Sequence, residues 1–195
     1  DRYLQGLGNH LMILQTAGGM RRNKAMLDNG FQDKDFTVDY EEFSGECTRA
    51  KIEAWAAQCR RDGVTAVIGI GGGKVLDTAK GIAYYTGLPM VIVPTVCATD
   101  APCSSLSVMY TDEGVFDAYL FLDNCPNVVI VDSEIIARAP ARLLVAGMGD
   151  AMATYFEARA CRASGSNNQV AAKPTRTATE MAALTWKYLQ ADGAK

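Results

Sequence analysis

The sequence predicts an α/β fold: a parallel sheet domain over residues 1–140, interrupted by a β-hairpin, and then the beginning of an all-α domain over residues 141–195. Three observations support this division. Short apolar runs without polar interruptions are typical of strands buried on both faces. Helix-period segments alternate with these runs, and the strand signal disappears after about residue 140. The predicted strands are 11–14, 66–70, 90–93 and 128–131.

Two segments between the predicted strands have helical periodicity. They span 48–61 and 74–86, and this alternation of strand and helix is typical of right-handed βαβ units in a Rossmann-like sheet. The hairpin is predicted from two strand-like runs, 107–110 and 115–119, which are joined by a turn that ends in Gly114. We expect the hairpin to border a ligand site.

The residues after 140 predict helices. Ala, Met, Glu and Arg dominate there, apart from a loop at 164–168. The last predicted helix, 177–189, has no packing partner of its own in this scheme. Because an unpacked amphipathic helix is marginal in water, we expect its surface to meet further chain or another subunit.

The composition excludes several classes of function. A formal net charge of −3 over 195 residues gives no basic field for a nucleic acid. No apolar run approaches the roughly 18 residues that span a membrane, and the first residues do not resemble a secretory signal. The six cysteines contain no CxxC pair. We therefore expect reduced thiols in a cytoplasmic protein.

A run of glycines marks the first candidate site. Gly71, Gly72 and Gly73 follow a predicted buried strand directly, and a predicted helix begins at Lys74. Glycines let the backbone approach a ligand closely, and the N–H groups at a helix start attract an anion such as a pyrophosphate. The run does not match the GxGxxG or P-loop patterns. The alternative is a tight turn that binds nothing.

Two aspartates are further candidates. Asp100 lies in a hydroxyl-rich stretch after the strand 90–93, where ligands of open α/β sheets bind, although it could equally form a turn or a cap. Asp150 precedes a helical run that begins at residue 151, and the spacing alone favours a helix N-cap. The one histidine, His10, lies just before the first predicted strand and is interpreted as a surface or loop residue. A histidine-rich metal site cannot be assembled from these residues.

Several blocks between Phe43 and about Lys195 resemble the iron-containing (group III) alcohol dehydrogenase family, and in particular its glycerol-oxidising members. The blocks are 44–47, 69–74, 76–80, 99–102, 106–108, 110–114, 149–150 and 156–159. The resemblance implies a dehydroquinate synthase-like architecture, in which an α/β domain binds NAD and a helical domain supplies most of a divalent metal site, with zinc expected before iron. A homo-oligomer is also expected from it.

The resemblance assigns roles to individual residues. It implies that Asp100 binds the substrate and that Asp150 is the first metal ligand and not a simple cap. The residues implied to contact the cofactor are Thr16, Gly72, Gly73, Lys74, Asp77, Thr95, Ala98, Ser104, Leu106 and Tyr110. The implied reaction is the metal-assisted oxidation of glycerol, or a similar small polyol, to dihydroxyacetone, with hydride transfer to NAD.

Two departures from the family pattern leave alternatives open. The family supplies two further metal ligands as histidines from a later helical domain, so we expect this chain alone to have little or no activity. It could then be a nucleotide-binding or oligomer-forming remnant of such an enzyme. Thr16 stands where the family usually carries an acidic residue that binds the adenosine ribose, so the site could accept NADP as well as NAD. A different polyol or hydroxyketone reductase, or more distantly a dehydroquinate synthase, is the alternative within the fold group.

Overall fold

The computed structural model describes residues 3–194, which form two compact units. The first unit runs to Val96 and resumes over Ala101–Ala139. The second contains Cys97–Asp100 and the residues from Pro140 onward. The short segment Cys97–Asp100 therefore groups with the helical residues although it directly follows the sheet in sequence.

The first unit is built on a five-stranded parallel sheet in the order β2-β1-β3-β4-β7. This confirms the predicted α/β class and parallel sheet. The sheet strands are β1 (His10–Thr16), β2 (Thr37–Phe43), β3 (Ala66–Gly71), β4 (Met90–Pro94) and β7 (Val128–Val129). The helices of this unit are α1 (Ala17–Phe31), α2 (Arg49–Asp62), α3 (Gly73–Thr86) and α4 (Ser133–Ala137).

The first unit contains three elements that the sequence pattern did not predict, namely β2, α1 and the short helix α4. Strand β2 is an edge strand with three acidic residues, so it lacks the continuous apolar run of a strand buried on both faces. The first turn of helix α1 contains Gly18 and Gly19, which have poor helix propensity, but the Thr16 hydroxyl caps the helix by accepting a hydrogen bond from the Gly19 N–H. The last strand, β7, is shorter than the predicted 128–131.

The topology places a crevice between β1 and β3. These strands are neighbours in the sheet, but the chain leaves β1 towards β2 and leaves β3 towards β4. The connections therefore diverge beyond the carboxyl ends of β1 and β3. Ligands of open α/β folds bind in such a crevice at the point where the strand order reverses.

Glycines allow α3 to pack closely on the sheet and on α2. A Cβ added at Gly69 of β3 would lie 2.7 Å from the Ala79 Cβ, and one added at Gly81 would lie 2.6 Å from Cδ1 of Ile52. Every residue of α3 from Val75 to Ala83 is buried. The position of α3, and of the glycines at its start, is therefore fixed by a close-packed core.

The predicted hairpin is confirmed. It forms a separate antiparallel sheet of β5 (Leu106–Tyr110) and β6 (Phe116–Phe121). Gly114 in the connecting turn has φ of +79°, a left-handed conformation that favours glycine.

The second unit contains a pair of packed helices, α5 (Ala141–Ser164) and α6 (Arg176–Asp192). The expectation that the last helix lacks a partner was wrong: Trp186 of α6 stacks on Tyr155 of α5, with 5.6 Å between the ring centroids. The helix start predicted near Asp150 was also wrong. Helix α5 begins at Ala141 and continues through Gly147 and Gly149, so Asp150 lies inside the helix and is not its N-cap.

Two smaller expectations can also be compared with the structure. His10 is the first residue of β1 and not a loop residue, and its Nε2 lies 2.7 Å from the Asp39 carboxylate on β2. None of the helices described between residues 3 and 194 is long and apolar enough to cross a membrane.

Candidate dinucleotide site and aspartate pair

A cavity of about 290 Å³ opens in the crevice between β1 and β3. It is formed by the end of β1, the loop after β2 and the start of α3. Its lining residues are Thr16, Phe43, Ser44, Gly45, Gly72, Gly73, Lys74 and Val75. Gly72, Gly73 and Lys74, which the family resemblance assigns to the cofactor, thus line one cavity together with Thr16.

The start of α3 is suited to an anion. Gly72 is the N-cap, in an extended conformation with φ of −94° and ψ of −179°, and none of the described side chains caps the helix. The first N–H groups of a helix have no carbonyl partner within it, and they point outward from its start. With glycine at the cap and at the first helical position, an anion can approach these N–H groups without meeting a side chain. The arrangement fits a pyrophosphate.

Lys74 stands at the rim of the cavity. Its ammonium is paired with the carboxylate of Glu46, which follows β2, and the lysine side chain is 56% exposed. The Glu46 side chain is only 17% exposed, so Lys74 is the more solvent-accessible partner of the pair. Its ammonium can therefore reach an anion bound in the cavity from the rim.

Thr16 places no charge at the cavity. Its side chain is exposed and caps α1, whose first turn contains no acidic residue. The guanidinium groups of Arg21 and Arg22 approach the same turn: a Cβ added at Gly18 would lie 3.3 Å from the Arg22 Nη1 and 3.7 Å from the Arg21 Nη2. Two exposed guanidinium groups therefore lie beside the first turn of α1.

The carboxylate of Asp77 contacts other groups of the protein. Its side chain is 9% exposed, with Oδ1 2.8 Å from the Lys80 ammonium, and Oδ2 accepts a hydrogen bond from the Val108 N–H at 3.2 Å. The carboxylate thus connects α3 to β5 within the first unit. Its contact with the cofactor stays a prediction.

The other predicted cofactor residues lie on two connections. Thr95 follows β4, and its N–H donates to the Gly71 carbonyl at 2.9 Å, which holds this connection at the end of β3. Ser104 and Leu106 lie before and at the start of β5, and Tyr110 at its end donates its N–H to the Cys47 carbonyl at 2.9 Å. Ala98 belongs to the second unit.

Cys47 belongs to one of the family-like blocks but is not suited to chemistry. Its side chain is buried, and burial raises the pKa of the thiol to about 11. A thiol in this state is neutral near pH 7, so it is neither an effective nucleophile nor a ready metal ligand.

Within the second unit, the structure brings Asp100 and Asp150 together. The Asp100 N–H donates a hydrogen bond to the Asp150 Oδ2 at 3.0 Å, although fifty positions separate the two residues. Gly147 makes this possible. A Cβ added there would lie 2.2 Å from the carbonyl oxygen of Cys97, so the segment Cys97–Asp100 rests directly on the backbone of α5.

We therefore expect Gly147→Ala to destabilise the protein and Gly149→Ala not to. The clash at position 147 involves a backbone carbonyl that no side-chain rotation can avoid, and overpacking of this kind costs about 1–3 kcal/mol. A Cβ added at Gly149 meets no heavy atom within 4 Å, so that variant should instead gain up to about 1 kcal/mol of helix propensity. Urea denaturation of the two variants measures the difference. Equal midpoints would contradict the close approach at Gly147.

The described residues do not form a metal centre by themselves. No group of three or more His, Cys, Asp or Glu side chains within residues 3–194 is arranged to hold a metal ion. Asp150 can supply one carboxylate oxygen, which alone holds zinc poorly.

Sequence reasoning missed two charged residues around the site, Glu46 and Lys80. Lys80 is fully buried, and its ammonium contacts the segment that leads into β5. For Lys80 the available signal was an Asp and a Lys three positions apart, which are the only charged residues of α3 after Lys74. Such a pair faces the same side of the helix and, if buried, must be satisfied internally.

Comparison with known proteins places these features in a family. Residues 1–133 match the family described as iron-containing alcohol dehydrogenase. A glycerol dehydrogenase of Escherichia coli O6:H1 is 46% identical over an alignment of 198 positions, which covers 99% of this chain and 53% of that protein. A glycolaldehyde reductase of Halobacterium salinarum is 45% identical over 78% of this chain and 42% of its own length.

A solved structure agrees with the fold over almost the whole chain. The crystal structure of a probable glycerol dehydrogenase from Sinorhizobium meliloti superposes with a TM-score of 0.89 and 38% identity, covering 98% of this chain and 52% of that one. The chain thus spans about half the length of the relatives that it matches.

Proposed function

This chain belongs to the iron-containing alcohol dehydrogenase family, and we propose that the complete protein oxidises glycerol, or a similar small polyol, with transfer of a hydride to NAD. The observation that carries the proposal is the glycine start of α3, which no described side chain caps and which lines a cavity at the reversal point of the sheet. The match to a glycerol dehydrogenase along 99% of the chain supports the choice of substrate.

The first unit would hold the dinucleotide. The backbone at Gly72 and Gly73 approaches the pyrophosphate, Lys74 turns from Glu46 to a phosphate oxygen, and Thr16 faces the adenosine ribose. We assign Thr95, Ser104, Leu106 and Tyr110 to the remaining contacts of this unit with the cofactor, and the assignment of Ala98, which belongs to the second unit, stays a prediction.

The second unit would position the polyol. Asp100 binds one substrate hydroxyl and fixes its orientation, and the contact of its N–H with Asp150 fixes Asp100 in turn. We assign Asp150 as one ligand of a divalent metal, zinc before iron, with the other ligands outside these 195 residues. When bound, such a metal lowers the pKa of a substrate hydroxyl, and NAD accepts the hydride. We further propose that the complete protein is a cytoplasmic homo-oligomer.

The test is an assay of the complete natural protein that contains this sequence. We expect glycerol-dependent reduction of NAD that is lost after chelation and restored by added zinc or iron. Reduction that is insensitive to chelation would contradict the metal role. Stronger activity with glycolaldehyde and NADH than with dihydroxyacetone and NADH would instead indicate a substrate like that of the glycolaldehyde reductase to which the chain is similar.

A second candidate function is a nucleotide-binding remnant. The observation that favours it is that no metal-binding group of three exists among the described residues 3–194. In the same assay, the 195-residue chain alone would then bind NADH without oxidising glycerol. Measurable turnover by this chain would contradict the remnant.

We expect Thr16→Asp to increase the preference for NAD over NADP by at least about tenfold, which corresponds to about 1.4 kcal/mol. A carboxylate at the N-cap of α1 can accept hydrogen bonds from the ribose hydroxyls and repels a 2′-phosphate. Thr16→Asn is the matched control, because it also caps a helix but carries no charge. The measurement is the ratio of the dissociation constants for NADH and NADPH. An equal change in both variants would show that charge at position 16 does not select the cofactor.

A further inference from the structure

We infer that Lys80, together with Asp77, is a positioning residue of the dinucleotide site: the buried pair fixes the segment 101–106 and strand β5 onto α3. This inference rests on the proposed function, because it concerns the same site. It assigns Asp77 an indirect role in place of a direct contact with the cofactor.

The lysine is held from several directions. Its side chain is 0% exposed, and its ammonium donates to the carbonyl oxygen of Ala101 at 2.9 Å, to the hydroxyl of Ser104 at 3.1 Å and to the carbonyl of Leu106. A single cation on α3 thus binds three residues of one connection. Since two of them, Ser104 and Leu106, are assigned to the cofactor, the position of these contacts depends on Lys80.

Asp77, on the same face of α3, adds further contacts between this helix and β5. Its Oδ1 lies 2.8 Å from the Lys80 ammonium, and its Oδ2 accepts the Val108 N–H. In addition, the hydroxyl of Ser107 donates to the Asp77 backbone carbonyl at 2.9 Å. The carboxylate therefore balances the buried charge and binds the first turns of α3 to β5.

Asp77 and Lys80 connect the start of α3 to the segment 101–106, and both regions contain residues that are assigned to the cofactor. Helix α3 carries Gly73 at its start, where the pyrophosphate is proposed to bind, and Asp77 and Lys80 follow one and two turns later. Because α3 is close-packed in the core, its start cannot move independently of this pair. The residues at the start of α3 and those of the 101–106 segment are therefore held in one fixed arrangement. The free-energy cost of ordering the 101–106 segment when the cofactor binds is then avoided.

A purely structural role would not require charges. Buried ion pairs can often be replaced by apolar side chains of similar size without loss of stability, whereas removal of one partner leaves an unpaired buried charge. Apolar side chains could fill the space of Asp77 and Lys80, but they could not bind three oxygen atoms of an irregular segment. This difference between stability and positioning is the basis of the test.

The experiment uses the complete natural protein and three variants. Lys80→Met removes the charge at similar length, and Asp77→Asn combined with Lys80→Met removes both charges while leaving an oxygen for the Val108 N–H. Ile82→Ala is the control, because it destabilises the same helix at a fully buried core position and removes no polar contact to the segment. The measurements are the melting temperature, the dissociation constant for NADH and hydrogen exchange of the amides of residues 101–108.

We expect Lys80→Met to weaken NADH binding at least tenfold and to accelerate exchange in the segment, while Ile82→Ala lowers the melting temperature but changes the NADH affinity less than twofold. The double variant should recover melting temperature relative to Lys80→Met and still bind NADH weakly. Recovery of affinity together with stability in the double variant, or unchanged exchange in Lys80→Met, would overturn the inference. Should the unaltered protein fail to bind NADH, the proposed function is overturned instead, and the exchange comparison still decides whether the pair orders the segment.

Discussion

Replacing Asp150 by Asn should remove the bound metal from the complete protein and lower kcat by at least about 10³-fold, because Lewis-acid assistance contributes several kcal/mol to the transition state. NADH affinity should remain nearly unchanged, since Asp150 is assigned to metal and not to cofactor. An asparagine still offers an oxygen to the Asp100 N–H, so the contact within the second unit can persist. Metal content by elemental analysis and turnover with glycerol are the two measurements.

Glu157→Gln is the matched control for this prediction. Glu157 is an exposed carboxylate on the same helix, seven residues later, and its replacement makes the same change in charge. We expect the control to keep both its metal and its activity. An Asp150→Asn protein that retains one metal per chain would refute the assignment of Asp150 as a ligand.

The second large effect is expected from Gly72→Val, which should weaken dinucleotide binding by about 100-fold, or about 2.7 kcal/mol. The backbone of Gly72, with φ of −94°, suits any residue, and a Cβ there would lie 3.4 Å from Cγ2 of Val96, an ordinary contact. The variant should therefore fold. Its branched side chain would instead occupy the cavity and separate the start of α3 from a pyrophosphate.

A valine at Gly30 is the control for this prediction. A Cβ at Gly30, an exposed position of α1, meets no heavy atom within 4 Å. NADH titration of both variants by fluorescence should show weak binding for Gly72→Val alone. If Gly72→Val binds NADH with unaltered affinity, the cofactor does not use the cavity at the start of α3.

Local patterns were sufficient for much of the fold. The apolar runs predicted three of the sheet strands closely, and the periodicity of 48–61 and 74–86 predicted α2 and α3. The hairpin was predicted because a turn with a required glycine leaves a clear local signal. By contrast, β2 lacked such a signal: its acidic residues are tolerated because it lies at the edge of the sheet, and only the sheet order shows that.

The candidate site also has one part that the sequence predicted and another part that only the tertiary structure showed. The sequence by itself determined the glycine start of α3 and its place after a buried strand, since both depend on neighbouring residues. Only the tertiary structure decided that Asp150 lies inside α5 beside Asp100, and that Lys80 is buried against the segment before β5. The physical reason is separation along the chain. The two aspartates are fifty positions apart, and Lys80 is more than twenty positions from its acceptors, so these contacts are set by packing and not by any local pattern.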